Sequence, residues 1–515
     1  MVWTYDNALA RINRLNRTAP EVVVEDFVEQ YMPRIHTLNE ERRAVGEAPT
    51  SPLFDLRRDE AVIVNAVHVY ANLLDFDDTL LENHRETEAS HARALQFLHF
   101  HYSACDRAVE DAGAQRVDFH GARLHAVVTE PADNEAERVR RALELAVRIR
   151  TTAARAAEEF GGLASRYRIG IDSGVCVAIN SGRGHEREPL FLGNAANFAA
   201  KLAEGAEPGV FVSDRVRRLM STLLSRTVTL TESYSRRGAQ GFDATVVSEN
   251  LGAAAVAEAT SRILESWRAD VNANRSARSS LLSFVFHYHQ PPLASIDYGT
   301  LSPSNSIRMP MGTVFADIDG YTSYVQTATA SRTHVAQAVR NLHVIRGELA
   351  AVVRDDFGGR KVRFIGDCIQ ALIADGDART INEMRTVTAS IHLAGALRSS
   401  FDLTKQVLPG IGSLGLAIGI ELGSTPVSRI GIRGDRSVRV AVSKSTIEAE
   451  ERQNVSDGIT TAMGERAFSA GSAAARNYFR DRSVENMTYA TAVAYVPEAS
   501  VPASLETEEP RAHGE

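Results

Sequence analysis

Met311–Thr322 reads MGTVFADIDGYT, an apolar run that passes into Asp317, Asp319 and Gly320. The pattern predicts a strand followed by an acidic, Gly-containing turn. About half a chain earlier, Val67–Asp77 reads VHVYANLLDFD. Setting Asn72 opposite Asp317 aligns a second pair without adjustment: VDFHGARLHAVV at Val117–Val128 against VRFIGDCIQALI at Val362–Ile373. Asn72 to Ala122 and Asp317 to Asp367 both span fifty positions. Two further pairs follow in order, YRIGIDSGV from Tyr167 with LAIGIELGS from Leu416, and VFVSDRVRRLM from Val210 with QNVSDGITTAM from Gln453. An internal repeat of this length predicts two copies of one domain.

Each copy reads as strand, helix, hairpin, helix, strand, helix, strand. In the first, a strand ends at Leu73, a helix covers about His84 to Gly113, hairpin strands flank Gly121, and a second helix covers about Asn134 to Phe160. The matching helices of the second copy cover about His334 to Asp355 and Arg379 to Asp402. Hairpin strands alternating with helices on one face predict an α+β domain of ferredoxin-like connectivity. The expected organisation is an N-terminal helical segment (1–60), a first domain (61–250), a helical linker (251–299), a second domain (300–498) and a disordered acidic tail (499–515).

The 515 residues include 44% hydrophobic and 24% charged residues, a balance typical of soluble globular chains. With 57 basic against 65 acidic residues the net charge is −8, which disfavours a polyanion-coating role and any nucleic-acid partner. Cys105, Cys176 and Cys368 show no CxxC spacing, so neither a disulfide framework nor a thiolate metal site is expected. The first residues carry no apolar stretch and no run of eighteen apolar residues occurs, so the expectation is a cytoplasmic protein without a membrane span. The fifteen histidines show no metal-ligand spacing.

The chemistry concentrates in the second copy. Asp317 ends a strand and Asp367 lies at a hairpin tip on the neighbouring strand, which brings two carboxylates together. Hard oxygen ligands of this kind, with a backbone carbonyl such as that of Ile318, suit Mg²⁺ or Mn²⁺ and leave positions for substrate phosphates. Gly320, Tyr321 and Thr322 then open a helix, whose free N–H groups could hold a triphosphate.

FADIDGYT and FIGDCIQAL resemble the two metal-binding motifs of class III nucleotidyl cyclases, the adenylyl and guanylyl cyclase family, and the similarity covers both copies. The resemblance implies two domains paired head to tail, here within one chain, with two divalent ions in a composite site. The family motif GNxVNxAxR is matched by GNAANFAAK at Gly193–Lys201, so Asn197 stands at the ribose-orienting position and Lys201 at that of the transition-state Arg. The losses are complementary: the first copy has Asn72 and Ala122 at the metal positions, and the second has Thr446 and Glu450 at the Asn and Arg positions. One complete site and one dead twin are therefore expected. Lys201 supplies a point charge where the family has a planar fork. Arg237 stands where the family places a cation for the terminal phosphates, and a second phosphate Arg falls on Ala417, with Arg168 holding that place only in the opposite copy.

The base-selecting positions of the family fall on Asp118 and Leu190, which match neither the adenine nor the guanine pair. Asp118 could accept a hydrogen bond from uracil N3–H or the cytosine amino group. The combination is similar to the pyrimidine cyclases of bacterial Pycsar anti-phage systems. It implies conversion of UTP to 3′,5′-cyclic UMP and diphosphate, with the product read by a separate effector protein. Alternatives are CTP to cyclic CMP, ATP to cyclic AMP, and, from another class, a non-catalytic nucleotide sensor. No GGDEF-type segment points to cyclic dinucleotide synthesis.

Overall fold

The computed structural model describes residues 3–48, 50, 53, 56–74, 76–160, 166–181, 188–223, 230–234, 239–242, 253–275, 284–329, 331–432 and 436–498. Arg237 and the tail 499–515, singled out in the sequence, lie outside these residues. Along the chain come α1 (Tyr5–Thr18), β1 (Val23–Asp26), α2 (Met32–Ala44), β2 (Glu60–Leu73), α3 (Phe76–Thr79), α4 (Glu88–Asp111), β3 (Gln115–His120), β4 (Arg123–Val128) and α5 (Glu135–Phe160). Then follow β5 (Tyr167–Asn180), β6 (Pro189–Leu192), α6 (Asn194–Leu202), β7 (Gly209–Ser213), α7 (Asp214–Leu223), β8 (Leu230–Tyr234), β9 (Ala239–Phe242) and α8 (Ala253–Arg275). The second half begins with β10 (Phe286–His287), β11 (Ser306–Asp319), α9 (Tyr321–Ala328), α10 (Arg332–Ala351), β12 (Arg360–Ile365), β13 (Cys368–Ile373) and α11 (Glu383–Val407). It ends with β14 (Gly415–Ile430), β15 (Val438–Ala441), α12 (Lys444–Asn454), β16 (Thr460–Met463), β17 (Ser483–Glu485) and short helices to Tyr495.

The two halves share one sheet topology. The first sheet runs β3-β4-β2-β5-β7-β9-β8 and the second β12-β13-β11-β14-β16-β17. Register is repeated residue for residue: Ala71 pairs with Leu124 as Ala316 pairs with Ile369, and Asn72 faces Arg168 as Asp317 faces Ala417. A bulge falls at the same place in each hairpin, between Arg116 and Asp118 and between Lys361 and Arg363. One alignment from the sequence is corrected. β7 pairs with β5 through Val210 opposite Ile169, whereas in the second half Thr461 lies opposite Ile418. Val210 is therefore equivalent to Thr461 and not to Gln453, which lies in the last turn of α12; the shared letters VSD occupy different structural places.

Each sheet buries one face under its own two long helices. Val67, Val69 and Ala71 pack with Leu95, Leu98, Val139 and Leu143 of α4 and α5, and Val314, Ile369 and Ile420 pack with residues of α10 and α11. The distal ends of the strands reach across. Val177, Ile179, Leu190 and Leu192 of β5 and β6 join the core of the second half, while Ile430, Val438 and Val440 of β14 and β15 join the core of the first. At ~1.5–3 kcal/mol for each fully buried aliphatic side chain, these crossings hold the halves as one unit. α8 packs on α4 and α5, so it extends the helical layer of the first half.

The N-terminal segment straps the halves together. β1 pairs parallel to β2 of the first half, yet α1 lies on α10 and α11 of the second. Ala8 and Ile12 are one helical turn apart and fully buried, and Leu15 packs against the same cluster. Arg11 of α1 holds Glu348 at 2.7 Å and Asp356 at 2.8 Å, and Trp3 Nε1 donates to Ser400 Oγ at 2.8 Å. Glu348 is completely buried, so removing its cation leaves an uncompensated charge. Arg11→Ala is expected to cost about 3–5 kcal/mol, read as a lower urea midpoint than that of the parent chain.

Candidate active site

Gly170 in β5 sets the position of the helix that carries Asn197. A Cβ at Gly170 would stand 2.1 Å from the Ala199 carbonyl oxygen and 2.6 Å from Ala203 N, so only glycine lets α6 lie directly on the strand. Gly320 meets a different demand, since its φ of 81° places it in the left-handed region that ends β11 and starts α9. Between these elements lies a cavity of about 100 Å³. The first half lines it with Tyr70, Asp118, His120, Arg123, Leu190 and Asn197. The second half contributes Tyr321, Thr322, Arg346, Gly366 and Asp367.

Asp317 follows the last β11–β13 pair, Ala316 with Ile369, and Asp367 sits in the β12–β13 turn beside it. Burial, with Asp319 and Glu450 nearby, pushes the Asp317 carboxyl up to about 6. Burial and the Asp317 charge push Asp367 well above the carboxylate range, against the pull of Arg346. Neither carboxylate has an ion-pair partner among the described residues. Two adjacent carboxylates with hard oxygen donors fit a divalent metal ion, which would relieve their mutual repulsion. The buried Ile318 side chain is a hydrocarbon without donor atoms, so any ligand this residue offers is its backbone carbonyl.

Asn197 Nδ2 donates to Thr322 Oγ1, joining the two halves across the cavity. Tyr321 is buried and its hydroxyl has no partner among the described residues. Lys201 lies one turn beyond Asn197 on α6, exposed and outside the cavity wall. Asp118 and Leu190 both line the cavity, but Asp118 is already engaged: Arg363 Nη1 reaches its Oδ1 at 2.8 Å. Arg168 is spent inside the first half, donating to the Leu202 and Glu207 carbonyls and stacking 3.5 Å from the Phe211 ring centroid.

Sequence reading missed Tyr70, His120, Arg123 and Arg346 on the cavity wall. Arg346 donates to Ser181 Oγ of the first half and to the Gly366 carbonyl beside Asp367, and its Nε is buried without a partner among the described residues. Its signal was present, since an Arg amid Val344, Ile345 and Leu349 on a buried helix needs a polar destination.

Two repeated α+β domains with paired carboxylates on one and a facing Asn on the other define a nucleotide cyclase architecture. The chain belongs to the class III nucleotidyl cyclase family. Residues 69–244 match the family described as the adenylate and guanylate cyclase catalytic domain. The chain is 44% identical over 497 residues to a protein named uridylate cyclase from a Rhizobium species, covering 93% of this chain and 92% of that one. It is 37% identical over 498 residues to a uridylate cyclase from Pseudomonas aeruginosa, covering 95% and 90%. A crystal structure of a class III adenylyl cyclase-like ATP-binding protein from Pseudomonas aeruginosa superposes with a TM-score of 0.83 at 36% identity, over 96% of this chain and 100% of that one. No described helix is long and apolar enough to cross a membrane.

The metal fit has a readout independent of turnover. Mn²⁺ or Mg²⁺ should raise the melting temperature of the parent chain. Asp367→Asn should raise the metal-free melting temperature by about 2–4 °C, as one of two repelling charges is removed, and should abolish the metal-induced rise, both read by scanning calorimetry.

Proposed function

We propose that the protein is a uridylate cyclase, converting UTP to 3′,5′-cyclic UMP and diphosphate. The observation that carries this reading is the likeness, over nine-tenths of each chain, to two proteins named uridylate cyclase. In the same reading the cyclic nucleotide is a second messenger, made in the cytoplasm in anti-phage defence and sensed by a separate effector protein.

The reaction forms a bond between O3′ and the α-phosphorus, breaks the bond to the bridging oxygen of the β-phosphate, and releases the 3′-hydroxyl proton. Asp317, Asp367 and the Ile318 carbonyl would hold divalent ions, which lower the hydroxyl pKa and neutralise phosphate charge. Asn197 orients the ribose so that O3′ stands in line with the departing diphosphate. For this its amide must exchange Thr322 for the sugar. Gly320, Tyr321 and Thr322 surround the phosphates at the start of α9, where backbone N–H groups are free. Lys201 and, in the segment outside the described residues, Arg237 supply cations for the charge that develops on the phosphoryl oxygens. Asp118 and Leu190 meet the base. Arg346 stiffens the turn carrying Asp367 through the Gly366 carbonyl.

A second reading, ATP to cyclic AMP, draws support from the structural neighbour described as ATP-binding. Purified protein incubated with ATP, GTP, CTP or UTP and Mn²⁺ or Mg²⁺, with products separated and weighed by mass spectrometry, decides between them. Cyclic UMP with diphosphate is expected. Cyclic AMP as the main product would overturn the uridylate reading, and bound but unconverted nucleotide would overturn catalysis in favour of a sensor. Asp317→Ala and Asn197→Ala should each lower kcat by about 10²-fold or more, with Asn197→Ala retaining the metal-induced rise in melting temperature.

A further inference from the structure

Asp118 and Arg363 are equivalent residues of the two repeats, each just after the bulge of its hairpin. Across the pseudo-twofold axis they meet. Arg363 Nη1 donates to Asp118 Oδ1 at 2.8 Å and to the Phe119 carbonyl, and Nη2 donates to the Arg439 carbonyl. The guanidinium is thus fixed from both halves and almost wholly buried. The Asp118 side chain keeps 37% of its surface, lines the cavity, and has no partner at Oδ2 among the described residues.

We propose that Arg363 is a positioning residue for base selection, holding Asp118 so that a single carboxylate oxygen faces the base. This rests on the reading of Asp118 as a base contact. One acceptor matches one ring N–H, as at N3 of uracil. It repels the ring lone pair that cytosine carries at N3 and adenine at N1, and it falls short of the two acceptors that the N1–H and amino group of guanine call for. Arg363 has no acceptor of its own, so it also dictates which way an amide at position 118 would turn.

That last property makes the inference testable. In Asp118→Asn, Arg363 should hold the amide oxygen and present Nδ2–H₂ to the base, changing an acceptor into a donor. The CTP:UTP ratio of kcat/KM should then rise about tenfold or more over the parent chain. In Asp118→Asn/Arg363→Leu the amide is free to turn, and the ratio should fall back toward the parent value. A structural role alone would lower turnover of all four nucleotides in proportion. Proportionate loss, or the same ratio in the single and double variants, overturns the inference. Asp118→Asn is isosteric and keeps Arg363, so if the double variant does not fold, an unchanged CTP:UTP ratio in the single one overturns it alone. A parent chain that makes chiefly cyclic AMP would overturn the uridylate reading separately, since the role of Arg363 is read from the change in ratios and not from the parent's product.

Discussion

The exchange of strand ends between the two sheets is the constraint on which the site depends. Because β5 and β6 bury Ile179, Leu190 and Leu192 in the second core, and β14 and β15 bury Ile430 and Val440 in the first, neither half can rotate without exposing apolar surface. The cavity lies between elements fixed by that exchange. β6 runs directly into α6, so the same strand that is clamped in the second core delivers Leu190 and Asn197 to the cavity wall. Glu188, just before β6, is buried among Lys361 at 3.0 Å and Arg439 at 3.2 Å. Burial alone would raise its carboxyl, and those cations with Arg346 hold it below the usual range instead. Apolar burial thus sets the distance between the halves, and this buried charge cluster sets their register.

Charge on the axis also selects which domains pair. In a symmetric pair of identical domains a residue near the axis meets its own copy. Two first halves would oppose Asp118 to Asp118, and two second halves would oppose Arg363 to Arg363. The observed pairing opposes the two types at 2.8 Å, with the Arg buried. Desolvating like charges is far costlier than desolvating an opposed pair with its remaining donors satisfied by backbone carbonyls. Divergence at one position therefore favours association of unlike halves, which is the association that brings Asn197 to Thr322.

Much of the fold could be read from the sequence because it is written twice. Asn72 opposite Asp317 and Ala122 opposite Asp367 are recovered in the strand register, and the long helices fall within a few residues of their expected spans. The failures have physical causes. VSD recurs in the chain, but a strand is specified by burial and pairing partners, and Thr460–Met463 holds the place that the letters assign to Gln453. Lys201 matches its motif position, and at the end of a short helix it keeps its ammonium in water. Arg346 and Arg363 escaped because their partners, Ser181 and Asp118, lie well over a hundred positions away in the other domain, and no local periodicity encodes a meeting between domains.

The second copy of the motif shows what the repeat holds where the first has Asn197 and Lys201. Glu450 replaces the cation of the motif and is bound at 2.9 Å by His120, which comes from the hairpin tip of the first half. Burial would raise the Glu450 carboxyl, but His120 and Arg123 hold it down at about 2. It is therefore an anion at neutral pH at the motif position that holds Lys201 in the first half, and Asn72 and Ala122 offer no carboxylate to a metal. Thr446, in place of the ribose-orienting Asn, turns inward to bond the Ser443 backbone and cap its own helix. Both side chains are satisfied within the fold. Among the buried groups left unmet, the paired Asp317 and Asp367 carboxylates, the Tyr321 hydroxyl and Arg346 Nε stand together around the turn that carries Asp367. An unpaired buried polar group costs stability wherever it is kept, and a bound metal ion and nucleotide would offset that cost for these four.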